Sequence, residues 1–235
     1  MAFASVKKVS ELEGGFVLAP ERYDPRRESL LASAGRAGFT PLRRLAASVR
    51  QTVTASSDES TRCLVLDTSD AREGVVVHRK APAPLSGIGS AKKIVEPGDV
   101  IVSRLRPYLR QAAYVDRDIR HREDGVLLIC STEFFVLRAV DGGSAAFLVP
   151  LLLSEEVQKV LAAAQEGGHH PRFNERTLLG LPVPKAWVER REELSREVER
   201  AVKLYRQSEG IYVDLVADAQ RSLEERSPHP GSEAE

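Results

Sequence analysis

IVEPGDVIVSRLRPYLRQAAYV, residues 94–115, decides how this chain folds. Pro97-Gly98-Asp99 is turn chemistry: proline fixes φ, glycine permits positive φ, and aspartate can bond its own backbone. The β-branched run Val100-Ile101-Val102 directly behind it predicts a buried strand. Ser103-Arg104-Leu105-Arg106-Pro107-Tyr108 then places arginines where that strand should end, and the apolar run over residues 111–115 predicts a return strand. The stretch reads as a rigid β-scaffold holding several guanidinium groups at a loop. Such a loop suits an anionic or planar hydrogen-bonding partner. A solvated hairpin tip is the competing reading, and this stretch alone does not choose between the two.

Working back from that stretch, residues 79–90 (RKAPAPLSGIGS) hold two prolines and several small residues, so they form a surface loop rather than a regular element. Residues 62–67 (RCLVLD) and 75–78 read as strands, residues 68–74 as a turn and residues 52–61 as a loop. Leu42, Leu45, Ala46 and Val49 stand at helical spacing, which predicts a short helix over 41–49. Residues 26–37 predict another helix closed by Gly38, and residues 16–25 a strand ending in a turn at Tyr23-Asp24-Pro25.

Working forward, residues 116–124 are a charged loop, and residues 126–130 and 133–140 are two more strands. From Ser144 the pattern turns helical. Residues 145–153 are apolar, and Ser154 can cap a second helix to Glu166, with Glu155 and Glu156 in its first turn. Gly167-Gly168 stops it. Residues 167–184 (GGHHPRFNERTLLGLPVP) form the second concentration of donors, followed by a return to the core over 178–183. Residues 187–226 predict one long helix. Leu194, Val198, Ala201, Tyr205, Ser208, Tyr212, Leu215 and Ala219 follow a 4-3-4-3 spacing, a coiled-coil signal weakened by Gly210, where a kink is expected. A helix of that length cannot bury its stripe on a compact domain alone, so it needs a partner helix. The tail over 227–235 is expected to be disordered.

The chain has 235 residues, 34 basic and 34 acidic, with 42% hydrophobic residues, ordinary for a globular protein with a core of its own. Its neutrality is uneven. Residues 1–187 carry 26 Lys and Arg against 22 Asp and Glu, net +4, and residues 188–235 carry 8 against 12, net −4. Seven basic residues and two acids lie between His78 and Arg110. The balance argues against a generally basic nucleic-acid binder and leaves a local basic face. No apolar run is long enough to span a bilayer, and the first 15 residues lack a signal-peptide core. Cys63 and Cys130 form no CxxC motif and read as reduced core cysteines of a cytoplasmic protein.

Enzyme signatures are weak. His169-His170 next to Glu166 and Glu175 invite a metal site, but no third ligand stands at ligand spacing. Pro97-Gly98-Asp99 opens like a restriction-nuclease motif, yet no Glu-x-Lys follows on the next strand. Gly87-Ile88-Gly89 lacks the lysine and serine ending of a phosphate loop.

The order of segments resembles the specificity (S) subunit of type I restriction-modification systems, over roughly residues 10–225. The matching features are Arg22-Tyr23-Asp24-Pro25, then Leu66-Asp67-Thr68 leading to Glu73-Gly74-Val75. They continue with residues 97–104, similar to that family's kGDvlfSr element, and Ser131-Thr132-Glu133-Phe134. The helical segment from Phe147-Leu148 through Leu153-Ser154 to Val157-Gln158 follows. Last comes the exit from Gly167-Gly168 and Pro171-Arg172 to Leu178, Leu181 and Pro182-Val183-Pro184. Full S subunits carry two recognition domains and two antiparallel helices. This chain has one of each, and Trp187-Val188-Glu189-Arg190 replaces the family's Gln-x-x-Ile helix opening.

The resemblance implies an α+β fold: a mixed β-sheet target-recognition domain with peripheral helices over 1–186, then a coiled-coil-type spacer or dimerisation helix over 187–226. It implies sequence-specific binding of double-stranded DNA with no catalysis and no cofactor. The implied partners are a type I methyltransferase (M) subunit and a second copy or S-like chain paired through the long helix. Candidate DNA contacts are Arg79, Lys80, Lys92, Arg104, Arg106, Arg110, Gln111, His169, His170, Arg172, Asn174 and Arg176. The alternatives are a protein-interaction module on the same scaffold, or a metal-dependent nuclease.

Overall fold

The computed structural model describes residues 6–12, 16–33, 36–56, 60–77, 80–120, 125–167 and 170–224. The first half runs α1 (Pro25–Ser33), β1 (Phe39–Pro41), β2 (Ala46–Val49), β3 (Thr52–Val53), β4 (Arg62–Leu66), β5 (Ala71–Arg72), β6 (Val75–Val76) and β7 (Ala83–Pro84). Next come β8 (Lys92–Ile94), β9 (Val100–Ser103), β10 (Ala112–Tyr114), β11 (Leu127–Ser131) and β12 (Phe134–Ala139). The chain ends in α2 (Leu148–Leu153), α3 (Glu155–Ala163), α4 (Glu175–Leu179), β13 (Pro182–Pro184), α5 (Lys185–Glu189) and α6 (Arg191–Glu224). The fold is α+β.

The opening stretch sits at the centre. β9 lies in an antiparallel four-stranded sheet of order β10-β9-β12-β2. Its side chains alternate between two cores, which is why Val100-Ile101-Val102 is apolar without a break. Val100 and Val102, with Phe135, Leu137 and Ala139 of β12, face the helices α2, α3 and α6. Ile101, with Phe134 and Val136, faces Leu64, Leu66, Leu128 and Cys130 of the second sheet. That sheet has the order β3-β8-β11-β4-β7 and is mixed, with β11 and β4 parallel. The molecule is thus a helix layer, a sheet and a second sheet, with β9 and β12 buried on both faces.

The Pro97-Gly98-Asp99 turn behaves as its chemistry predicts. Gly98 has φ +101, and the Asp99 carboxylate accepts from the Glu96 backbone N–H at 2.8 Å. Asp99, 1% exposed, also takes the Arg138 guanidinium in a two-pronged pair at 2.8 and 2.9 Å. The pair locks the start of β9 to β12. Gly74, at φ +103, reaches β10 from the β5–β6 hairpin: its N–H donates to Ala112 O and its carbonyl accepts from Tyr114 N–H.

Some local readings are corrected. Residues 41–49 are not helical: a single 3-10 turn at Leu42–Arg44 leads into β2, which pairs with β12. A short apolar run fits either period, and the exposed edge of β12 takes it as a strand. Residues 16–25 hold no strand; Pro20–Tyr23 is a 3-10 turn, and the Tyr23 hydroxyl donates to Val17 O, folding the segment on itself. The loops over 52–61 and 79–90 contribute the short strands β3 and β7. The residues assigned to a disordered tail, 227–235, lie outside the described residues.

The long helix is two helices. The Trp187 indole donates to Phe147 O at 2.9 Å, pinning α5, and the chain leaves helical geometry at Arg190 before α6 begins. Gly210 lies inside a continuous α6 of 34 residues. Leu194 and Val202 are buried against the body, each such side chain contributing about 1.5–3 kcal/mol. Arg206 ties α6 to the body: it donates to both Asp116 oxygens (2.9 and 3.4 Å) and to Val76 O (2.6 Å). From Gln207 to Glu224 every residue is exposed except the half-buried Glu209 and Ala217. Ile211, Tyr212, Leu215, Val216 and Leu223 are among the exposed apolar side chains there.

Candidate nucleic-acid interface

β9 delivers Arg104 to the surface, and backbone bonds place it between two other segments. The Arg104 N–H donates to Glu133 O (3.0 Å) in the turn between β11 and β12, and the Arg104 carbonyl accepts from Phe173 N–H (3.2 Å). Leu105 forms an antiparallel bridge to Arg172. The two donor-rich segments of the sequence are therefore stitched side by side. Phe173 is buried with its ring centroid 5.6 Å from that of Phe135, which ties the second loop down onto β12.

Glu133 sits between the arginines. Its carboxylate accepts from Arg104 Nε at 2.7 Å and from Arg172 Nε and Nη2 at 2.9 and 2.6 Å. The Arg172 guanidinium, with Arg104 beside it, holds the Glu133 carboxyl down to about 2 against the opposing effect of burial. Arg172 Nη1 donates to His170 O, so all its nitrogens are engaged by the protein. The Arg104 side chain, 36% exposed, bonds the described residues through its Nε alone.

More charge lies beside this cluster. Arg50, following β2, pairs with Glu175 at the start of α4. Lys93 of β8 donates to Phe134 O at 2.6 Å, and burial lowers its pKa. Arg104, Arg172, Arg50 and Lys93 thus stand against Glu133 and Glu175, a net positive face. Arg50 and Lys93 were not singled out from the sequence, and Glu133 and Glu175 were named there only in a strand motif and as neighbours of a candidate metal site. The four come from segments far apart in the chain, so no local pattern could join them into one cluster.

The loop over residues 104–110 turns on two arginines in the left-handed region, Arg106 at φ +44 and Arg110 at φ +52. Between them a 3-10 turn presents Tyr108, 69% exposed, and Leu109. Arg106 is exposed, whereas Arg110 lies with Nε 3.0 Å from a Glu73 oxygen. Gln111 is half buried, its carbonyl taken by Ser103 N–H. The Asn174 side-chain oxygen caps α4, accepting from Thr177 N–H at 2.9 Å, and Arg176 is exposed on the same helix. His170 is exposed. Lys92 bonds Ser90, and Lys80 is paired with Asp67 and Asp70, away from the Glu133 cluster. Arg79 and His169 lie outside the described residues. Among the described residues no group of three or more His, Cys, Asp or Glu could hold a metal ion, and no helix is long and apolar enough to cross a membrane.

No family model matches the sequence, and no curated protein matches it. Solved structures do. A chain from a structure of the type I R-M system, concerned with its complex assembly and conformational transition, superposes with a TM-score of 0.54 at 25% identity, covering 85% of this chain and 52% of that one. The HsdS subunit from Thermoanaerobacter tengcongensis superposes with a TM-score of 0.53 at 24% identity, covering 86% of this chain and 54% of that one. The chain has an HsdS-type fold. That agrees with the resemblance carried by the sequence motifs, and an HsdS-type fold accommodates both the mixed sheets and the long helix after them. This chain spans about half the length of the two HsdS-type neighbours.

Proposed function

We propose that this chain is a non-catalytic specificity subunit, or half-subunit, that reads duplex DNA for a type I restriction-modification or related defence complex in the cytoplasm. In this reading residues 1–186 are the target-recognition domain and residues 187–226 the spacer segment, built around α6. The observation that carries it is the pairing of the two donor loops through Glu133, within an HsdS-type fold, with the Arg104 terminal nitrogens without an acceptor among the described residues. A guanidinium held this way suits the O6 and N7 of guanine in the major groove, a contact that gives about 1–3 kcal/mol of discrimination. Arg50, Arg106, Arg176 and Lys92 then serve phosphate contacts, which position without specifying. The exposed half of α6 pairs with a second copy or an S-like chain and offers a docking surface to a methyltransferase subunit, the protein that the specificity chain would direct to its site.

The test is selection of a target from a random duplex library with the full chain, followed by titration at several salt concentrations. Log K should fall against log salt with a slope near −0.9 per neutralised phosphate. Arg104→Ala combined with Arg106→Ala should reduce affinity for the selected target by about tenfold or more while leaving the thermal transition in place. A wild-type protein that enriches no sequence, or binding with no salt dependence, would overturn the reading in favour of a protein-interaction module.

A further inference from the structure

A carboxylate on a surface that meets phosphates repels its ligand, so Glu133 lowers affinity for DNA unless it does something else. Its contacts say what that is. It takes both Nε and Nη2 of Arg172, whose Nη1 is held by His170 O, so this guanidinium is neutralised and immobilised. It takes only the Nε of Arg104, whose main chain is already fixed by the bonds to Glu133 O and Phe173 N–H. Only the side-chain direction of Arg104 remains to be set, and the Nε bond sets it, leaving Nη1 and Nη2 as a planar fork without an acceptor among the described residues.

We propose that Glu133 is the positioning residue that sets sequence specificity: it aims the Arg104 fork and cancels the charge of Arg172, exchanging affinity for any duplex for discrimination between duplexes. Specificity is a difference of affinities, and a fixed negative charge that every non-target duplex must meet without compensation widens that difference. The inference rests on the DNA reading above.

The experiment compares the full-length wild type with Glu133→Gln, Arg104→Ala and the double variant. The probes are the duplex enriched by the wild type and a scrambled duplex of the same composition. Glu133→Gln should bind the scrambled duplex more tightly, steepen its salt slope by up to about 0.9, and cut the target-to-scrambled ratio by about tenfold. In the Arg104→Ala background the ratio is already low, and Glu133→Gln should leave it unchanged while raising both affinities, the signature of action through Arg104. Equal losses on both duplexes, or a further fall of the ratio in the double variant, would show a merely structural role and overturn the proposal. If Glu133→Gln does not fold, Glu133→Asp carries the test. The shorter acid keeps the charge but cannot span both arginines, so scrambled-duplex affinity should stay at the wild-type level while the ratio falls. An unchanged ratio there overturns the proposal. Failure of the DNA reading itself is seen earlier and separately, as a wild type that enriches nothing.

Discussion

Glu133 shows how one side chain couples the surface to pH. Its folded-state pKa of about 2 lies below the ordinary 4.5 because the charged form is bonded by Arg172 and Arg104. The unfolded chain therefore binds the proton more readily. The stabilisation is fully present above about 4.5 and is lost as pH falls toward about 2. Urea midpoints measured across that window should fall for the wild type and fall less for Glu133→Gln; parallel curves would contradict the geometry. Nothing near Glu133 in sequence announced this role, because its partners are 29 and 39 residues away. Asp99 was different. Its bond to the Glu96 backbone follows from the turn motif itself, and only the Arg138 pair needed the fold.

Among the elements, β9, β10, β11 and β12 could be read directly, since short apolar runs bounded by turn or charged residues fit buried strands. β2 could not: Leu42, Leu45, Ala46 and Val49 satisfy helical spacing, and what made the segment extended was the unpaired edge of β12, a property of the assembled sheet. Gly74 belongs to this scale too. Its left-handed φ lets the β5–β6 hairpin bond β10, and a Cβ there would stand 3.3 Å from a Val149 methyl. Gly74→Ala is therefore expected to destabilise by about 1–2 kcal/mol, from backbone strain together with the close approach to Val149. Chemical denaturation would read this as a lower midpoint at unchanged slope. An unshifted midpoint would mean that the hairpin does not bear on the core.

At the scale of the whole molecule, α6 divides at Arg206 into a half docked on the body through Leu194, Ser195 and Val202 and an exposed half that carries Tyr212, Leu215 and Val216. The heptad reading foresaw an unburied stripe but not where burial would end, which depends on how far the body reaches along the helix. Pairing through that half predicts a dimer in sedimentation velocity at tens of micromolar and a monomer for Tyr212→Glu with Leu215→Glu. A monomeric wild type would remove the pairing.

The Arg206 clasp also has a mechanical meaning. Beyond it the rod is about 27 Å long at about 1.5 Å per residue. A swing of roughly 10° at the clasp shifts the free end by about 5 Å, more than the rise of about 3.4 Å between base pairs. In a paired molecule, Arg206→Ala should therefore accept target half-sites moved apart or together by one base pair, measured as a flattened affinity profile over spacer length. On the proposed DNA reading, one guanidinium at the fulcrum would set the tolerance of the entire gauge.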